Sequence, residues 1–244
     1  MRLTPKKLAS RRTRNMDNNF KGLDAIMGKT NYSTAVVFDW DGTILDTDFI
    51  IDEAIESVIG KHQPDELNRL QHLLYTSKRP ACPLSSVRLP MEGRETILKE
   101  LAFKMRTLVE KAPVFDGAKE LIYLLQKLAV PLAILTKRDR ASLSEQLERS
   151  SLASAFKLSV CRGEVQPKPN PEGLILISRI LKVNRVVMIG NSMDDLLCAR
   201  NANCEFVAVD LCSRVRESQI CKSHYNVESN YNDIQEAVIK KLLT

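Results

Sequence analysis

The sequence predicts an α/β fold in which a parallel sheet is covered by helices on both faces. Two observations predict it: short β-branched runs recur along the chain, and segments with helical spacing separate the later ones. The strand candidates are Ala35–Phe38, Pro131–Leu135, Lys157–Val160, Val186–Ile189 and Glu205–Val209. Helix candidates span about 116–128, 140–150, 171–182 and 193–202. A last helix near 232–243 carries Ile234, Ala237, Val238 and Leu242 at core spacing.

One interval breaks the alternation. Between Thr47 and about Lys111 no strand pattern occurs, but Ile51, Ala54, Ile55 and Val58, and later Ile97, Leu98, Leu101, Met105 and Leu108, fall at helical spacing. This predicts a helical insertion over 48–111, divided by the Pro-containing Lys78–Pro90 stretch. The remaining 31–47 and 112–244 form the sheet core, with the insertion placed as a lid.

Composition narrows the function classes. The 244 residues are 44% hydrophobic and 27% charged, as in ordinary globular chains. The longest apolar stretch, Leu128–Leu135, falls far short of the roughly 20 residues that span a bilayer. The net charge of +6 is matched by Arg2, Lys6, Lys7, Arg11, Arg12 and Arg14, in an opening segment without acids, so the rest of the chain is neutral. With only 5% aromatic residues, it lacks the charge and the stacking surface of a nucleic-acid module. Residues 1–30 read as a basic flexible extension, and the expected location is cytoplasmic, with a mitochondrial or nuclear address as the alternative. The cysteines Cys82, Cys161, Cys198, Cys204, Cys212 and Cys221 form no C-x-x-C pair and read as reduced thiols.

In an open parallel sheet, ligands bind beyond the carboxyl ends of the strands. The first run ends in Asp39-Trp40-Asp41-Gly42-Thr43, two carboxylates at i, i+2 followed by a glycine that permits a sharp turn. Taken alone, Asp41-Gly42 is equally a hairpin turn with surface acids. The second run leads into Thr136-Lys137-Arg138-Asp139, where a hydroxyl and helix-opening N–H groups can hold an anionic oxygen, or simply cap a helix. After the third run, Gln166-Pro167-Lys168-Pro169-Asn170-Pro171 places a lysine in a stiff segment, where less entropy is lost on engaging a ligand. The fourth opens a helix with Gly190-Asn191-Ser192-Met193-Asp194-Asp195, putting Asn191 and Asp195 at i, i+4 on one face of its first turn. Two carboxylates and an amide oxygen there suit Mg²⁺, or else merely favour the helix dipole.

In this order the segments resemble the haloacid dehalogenase superfamily of phosphatases and phosphomutases, in its phosphoglycolate phosphatase and β-phosphoglucomutase branch. The D-x-D-G-T signature at Asp39–Thr43, Thr136, the K-P-x-P motif at Lys168–Pro171 and the G-x-S-x-x-D motif at Gly190–Asp195 carry the resemblance, from about Ala35 to Val209. It implies a Rossmann-like core with a small helical cap, and a Mg²⁺-dependent phosphatase acting on a small phosphorylated metabolite. Asp39 is implied as nucleophile and Asp41 as acid and base. Thr136, Lys137 and Lys168 are implied as phosphoryl ligands, and Asp39, Asp41, Asn191 and Asp195 as the metal set. Asn191 departs from the usual aspartate, which removes a full negative charge unless Asp194 or Asp195 supplies it. Two alternatives stay open: a phosphomutase, in which a sugar hydroxyl replaces water, and a regulatory protein that kept the fold while metal binding weakened. The expected assembly is a monomer or weak dimer.

Other residues have plainer explanations. Trp40 is expected to pack near the site mouth, with substrate stacking as the alternative. His62, His72 and His224 lack ligand spacing, Met188 and Met193 read as core fillers, and Arg94 and Lys78 as solvated charges.

Overall fold

The computed structural model describes residues 34–74, 86–209, 227–228 and 230–243. The basic N-terminal segment, Lys78, Cys82, Cys212, Cys221 and His224 lie outside the described residues.

The strands are β1 (Thr34–Phe38), β2 (Leu132–Leu135), β3 (Leu158–Val160), β4 (Arg185–Gly190), β5 (Glu205–Val209) and β6 (Val227–Glu228). They form one sheet in the order β3-β2-β1-β4-β5-β6, with every neighbouring pair parallel. All five expected strands are present, and β6 adds a two-residue edge too short to leave a pattern. The Asp41-Gly42 hairpin alternative is excluded, because β1 is flanked on both sides by parallel strands.

The helices are α1 (Asp48–Ala54), α2 (Gly60–His62), α3 (Pro64–Leu74), α4 (Arg94–Glu110), α5 (Ala118–Lys127), α6 (Arg140–Ser150), α7 (Glu172–Leu181), α8 (Met193–Asn201) and α9 (Tyr231–Leu243). A π-helical turn, Ile55–Ile59, joins α1 to α2 and buries Ile55, Val58 and Ile59.

Alternation along each buried strand feeds two cores. Val36, Phe38, Ile134 and Ile189 pack with Leu121, Ile122 and Leu125 of α5 and Ile234 and Val238 of α9. Val37, Ala133, Leu135 and Met188 pack on the other face with Leu174 and Ile177 of α7 and Leu196 of α8. Burying each such aliphatic side chain contributes roughly 1.5–3 kcal/mol, which holds both helical layers against the sheet.

The region 48–110 has an apolar cluster of its own, including Ile50, Ala54, Ile55, Ile59, Leu70, Ile97, Leu101 and Leu108. Leu98, one of the residues that suggested this face, is instead 47% exposed, because it lies about 100° round α4 from Ile97, outside the stripe of Ile97, Leu101 and Leu108. The chain leaves and re-enters the core side by side. Leu45 bridges Val114 antiparallel, Asp46 N–H donates to the Pro113 carbonyl at 2.9 Å, and Phe115 N–H donates to the Ile44 carbonyl at 3.0 Å. Among the described residues, no helix is long and apolar enough to cross a membrane.

Sheet order and register together locate the crevice. The strand order runs outward in both directions from β1, to β2 on one side and β4 on the other, and such a switch point opens a cleft at the carboxyl ends. Phe38 is level with both Ile134 and Ile189, so the residues that follow all three strands emerge at one height.

Candidate active site

Asp39 leaves β1 at the switch point, its backbone N–H donating to the Ile189 carbonyl at 2.9 Å. The next turns are tightly wound. Ile44 and Leu45 N–H donate to the Trp40 carbonyl at 2.9 and 3.0 Å, and Gly42 N–H to the Leu45 carbonyl at 2.8 Å. Gly42 sits at φ 71°, the left-handed region that a side chain disfavours, which explains the glycine after the second carboxylate.

Lys168 reaches the same point from the segment after β3. Its Nζ donates to Asp39 Oδ1 at 2.5 Å and to the Leu135 carbonyl at 3.0 Å, and lies 2.6 Å from Asp195 Oδ1. The three side chains are 4%, 9% and 0% exposed for Lys168, Asp39 and Asp195, so this is a dry lysine between two carboxylates. Burial alone lowers an ammonium's pKa, but Asp39 and Asp195 outweigh it and hold Lys168 above its ordinary value. Burial pushes the Asp39 carboxyl up to about 7; Lys168 opposes this, while the charges of Asp195 and Asp41 add to it.

Asp195 is fixed from below. Ser192 caps α8, its side chain accepting from Asp195 N–H, while Asp195 Oδ2 accepts from Ser192 N–H at 3.0 Å and Ser192 Oγ at 2.6 Å. This reciprocal capping box starts the helix at Met193. Asn191 therefore precedes the cap and is not on the first helical turn with Asp195, as its spacing suggested, because the cap residue takes a non-helical conformation. Gly190 makes room for the arrangement: a Cβ there would lie 2.7 Å from the Asp195 carboxylate carbon.

Thr136 is buried at the end of β2, and its Oγ accepts from Arg138 N–H at 3.1 Å. The helix-capping role belongs to Asp139, whose carboxylate accepts from Ser142 N–H at 3.0 Å, so Thr136 is not the cap residue. Lys137 pairs with Asp194 across the mouth of the site, both side chains about half exposed. Arg138 grips Asp41 with both arms, Nε to Oδ2 at 3.1 Å and Nη2 to Oδ1.

Asp39, Lys168 and Asp195 are thus in direct contact, and Thr136, Lys137, Asp41 and Asn191 lie on the adjoining strand ends. Sequence reasoning missed Arg138. Its signal was present in Thr136-Lys137-Arg138-Asp139, but a turn has no periodicity to show which cation faces the acid. Trp40 is also placed differently from expectation: it is fully buried beneath the site against Phe156, which removes any part in stacking on a substrate. His62 pairs with Glu100 of α4, and Met188 is a core residue as expected.

For a divalent ion, the available donors are hard oxygens: the Asp39 carboxylate, the Asp41 backbone carbonyl and the Asn191 amide. Both Asp195 oxygens are already engaged, Oδ1 at 2.6 Å from the Lys168 ammonium and Oδ2 accepting from Ser192. Among the described residues, no group of three or more His, Cys, Asp or Glu is arranged to hold a metal. The donors fit Mg²⁺ in kind, with neutral oxygens completing a set poorer in charge than one of carboxylates.

Residues 36–209 match the family profile described as haloacid dehalogenase-like hydrolase. A phosphoglycolate phosphatase of Neisseria meningitidis is 27% identical over 192 residues, covering 72% of this chain and 79% of its own length. A phosphorylated carbohydrates phosphatase of Thermotoga maritima is 28% identical over 184 residues, covering 70% and 82%. In fold, the chain resembles a haloacid dehalogenase-like hydrolase structure from Streptococcus pneumoniae, with a TM-score of 0.64 at 15% identity over 84% of this chain and 98% of the other.

Proposed function

Because the chain belongs to the haloacid dehalogenase-like hydrolase family, we propose that it is a Mg²⁺-dependent phosphatase of a small phosphorylated metabolite, working through an aspartyl-phosphate on Asp39. The observation that carries this is the Lys168 ammonium held 2.5 Å from Asp39 and 2.6 Å from Asp195 in a nearly dry site. It supplies positive charge where an anionic carboxylate must approach an anionic phosphoryl group.

Asp39 attacks phosphorus, and the ester bond to the leaving oxygen breaks as the new acyl-phosphate bond forms. Asp41 gives its proton to the leaving oxygen, then takes one from the water that cleaves the acyl-phosphate, restoring Asp39 and releasing phosphate. The Thr136 hydroxyl and the Lys168 ammonium hold phosphoryl oxygens, with Lys137 contributing charge at the mouth. Asp39, the Asp41 carbonyl and Asn191 would hold Mg²⁺, which would supply charge neutralisation at the phosphoryl group. The segment 48–111 acts as the cap over 31–47 and 112–244. Its separate apolar cluster and the paired exit and return at Leu45 and Val114 support this.

The test is hydrolysis of an aryl phosphate and a panel of phosphorylated metabolites, with and without Mg²⁺. Asp39→Asn is expected to lower turnover about a thousandfold or more while the fold is kept. Wild type and mutant equally inert across metals and substrates would defeat the proposal. Product analysis with hexose 1-phosphates separates hydrolysis from mutase transfer.

A further inference from the structure

One side chain stands between the two carboxylates of the Asp39–Asp41 loop, and it is tethered at both ends. The Trp40 ring is fully buried, edge-on to Phe156 at 6.5 Å between centroids. Its indole Nε1 donates to Gln146 Oε1 at 2.6 Å, a contact across 106 residues of chain. The Trp40 carbonyl is held by Ile44 and Leu45 N–H at 2.9 and 3.0 Å. With ring and carbonyl both fixed, the peptide planes carrying Asp39 and Asp41 have little freedom left.

Gln146 lies on α6 and is 7% exposed. The other end of its amide donates to the Val109 carbonyl at 3.4 Å in the last turn of α4, and Arg149 donates to the neighbouring Glu110 carbonyl at 2.5 Å. The Val109 carbonyl also accepts from Ala112 N–H at 3.2 Å, so the glutamine is an additional donor at the end of α4. A buried indole N–H needs an acceptor, and a backbone carbonyl would serve. Here the acceptor is a side chain that also holds the helix leading out of the 48–110 region. A cavity of ≈ 400 Å³, lined by Leu45, Val109, Pro113, Gln146 and Arg149 among others, lies against this contact.

We infer that Gln146 is a positioning residue for the reaction: through the Trp40 indole it sets the spacing of Asp39 and Asp41, and it ties that spacing to the end of α4. The inference rests on the phosphatase activity proposed above. Its role is indirect, because Gln146 touches neither carboxylate.

Trp40 is the sole tryptophan, so the full-length protein has one indole N–H resonance. That resonance is expected to exchange slowly in wild type and at least about tenfold faster in Gln146→Met, since the mutant removes the acceptor. Gln146→Met and Trp40→Phe are each expected to lower kcat about tenfold with KM within about twofold, as a misplaced carboxylate would. The double mutant should be no slower than the worse single mutant, since both cut one contact. Gln146→Glu, which keeps an acceptor oxygen for the indole, should restore kcat to within about threefold of wild type.

Multiplicative losses in the double mutant, losses confined to KM, or a rapidly exchanging wild-type indole would each overturn the inference. Should Gln146→Met fail to fold, Trp40→Phe and Gln146→Glu decide it, and a Glu variant as slow as Trp40→Phe refutes the role. A wild type with a protected indole but no turnover on any phosphate ester instead sinks the activity, and the positioning role with it. A protected indole with multiplicative rate losses sinks the positioning role alone.

Discussion

The floor and the rim of the site hold ion pairs of the same chemical kind in different surroundings. On the floor, Lys168 meets Asp39 and Asp195 with all three side chains under 10% exposed. At the rim, Lys137 and Asp194 are 50% and 41% exposed, and the Arg138–Asp41 pair is intermediate at 11% and 38%. In a dry environment, removing one partner strands the other's charge, whereas at a wet rim water replaces it. The floor is therefore a fixed frame, while Lys137 at the wet rim is free to exchange its carboxylate for a phosphoryl oxygen at little cost.

The largest test of this contrast is Lys168→Met. It leaves Asp39 and Asp195 facing one another without their counter-ion, and a loss of about 3–5 kcal/mol in urea unfolding is expected. A loss below that of the rim mutants would break the comparison. Gly190→Ala probes the same floor sterically: its new Cβ would lie 2.7 Å from atoms of the Asp195 side chain, and the strain is expected to cost about 1–3 kcal/mol.

At the intermediate pair, Arg138→Gln should cost less stability than Lys168→Met, about 1–2 kcal/mol, yet lower kcat, because Asp41 loses the two-armed grip that orients it. Equal losses for Arg138→Gln and Lys168→Met in the same unfolding assay would erase the distinction between frame and rim. Cys198 gives the smallest and most local reading of dryness. Burial pushes its thiol up to about 12 despite the nearby Lys168 charge. At pH 8 the thiolate is then a negligible fraction, so iodoacetamide should leave Cys198 unmodified in the native protein and alkylate it after unfolding, as peptide mass mapping would show.

Much of this was legible in the chain itself because it is local. Every expected strand is present, and the helices after Gly117, Asp139, Pro171 and Ser192 begin within about two residues of their expected starts, since apolar periodicity and capping chemistry act over one or two turns. The acids and the lysine were legible too, because a parallel sheet collects chemistry at its strand ends. The pairing of charges was not. Thr136-Lys137-Arg138-Asp139 offers two adjacent cations, and only the course of the turn sends one to Asp194 and the other to Asp41. Asn191 was misplaced onto the helix because its i, i+4 spacing to Asp195 ignored the cap between them.

The amino-acid order by itself determined the parallel α/β core, the helical character of the 48–110 region and the candidate residues at the strand ends, because each depends on neighbours a few positions away. Tertiary structure alone decided that the indole of Trp40 turns down to Gln146 rather than up to a substrate, which cation guards which carboxylate, and how dry the Lys168 ammonium is. Those are matters of burial and of contacts between distant segments: a side chain's surroundings are set when the sheet closes and strands far apart in sequence become neighbours.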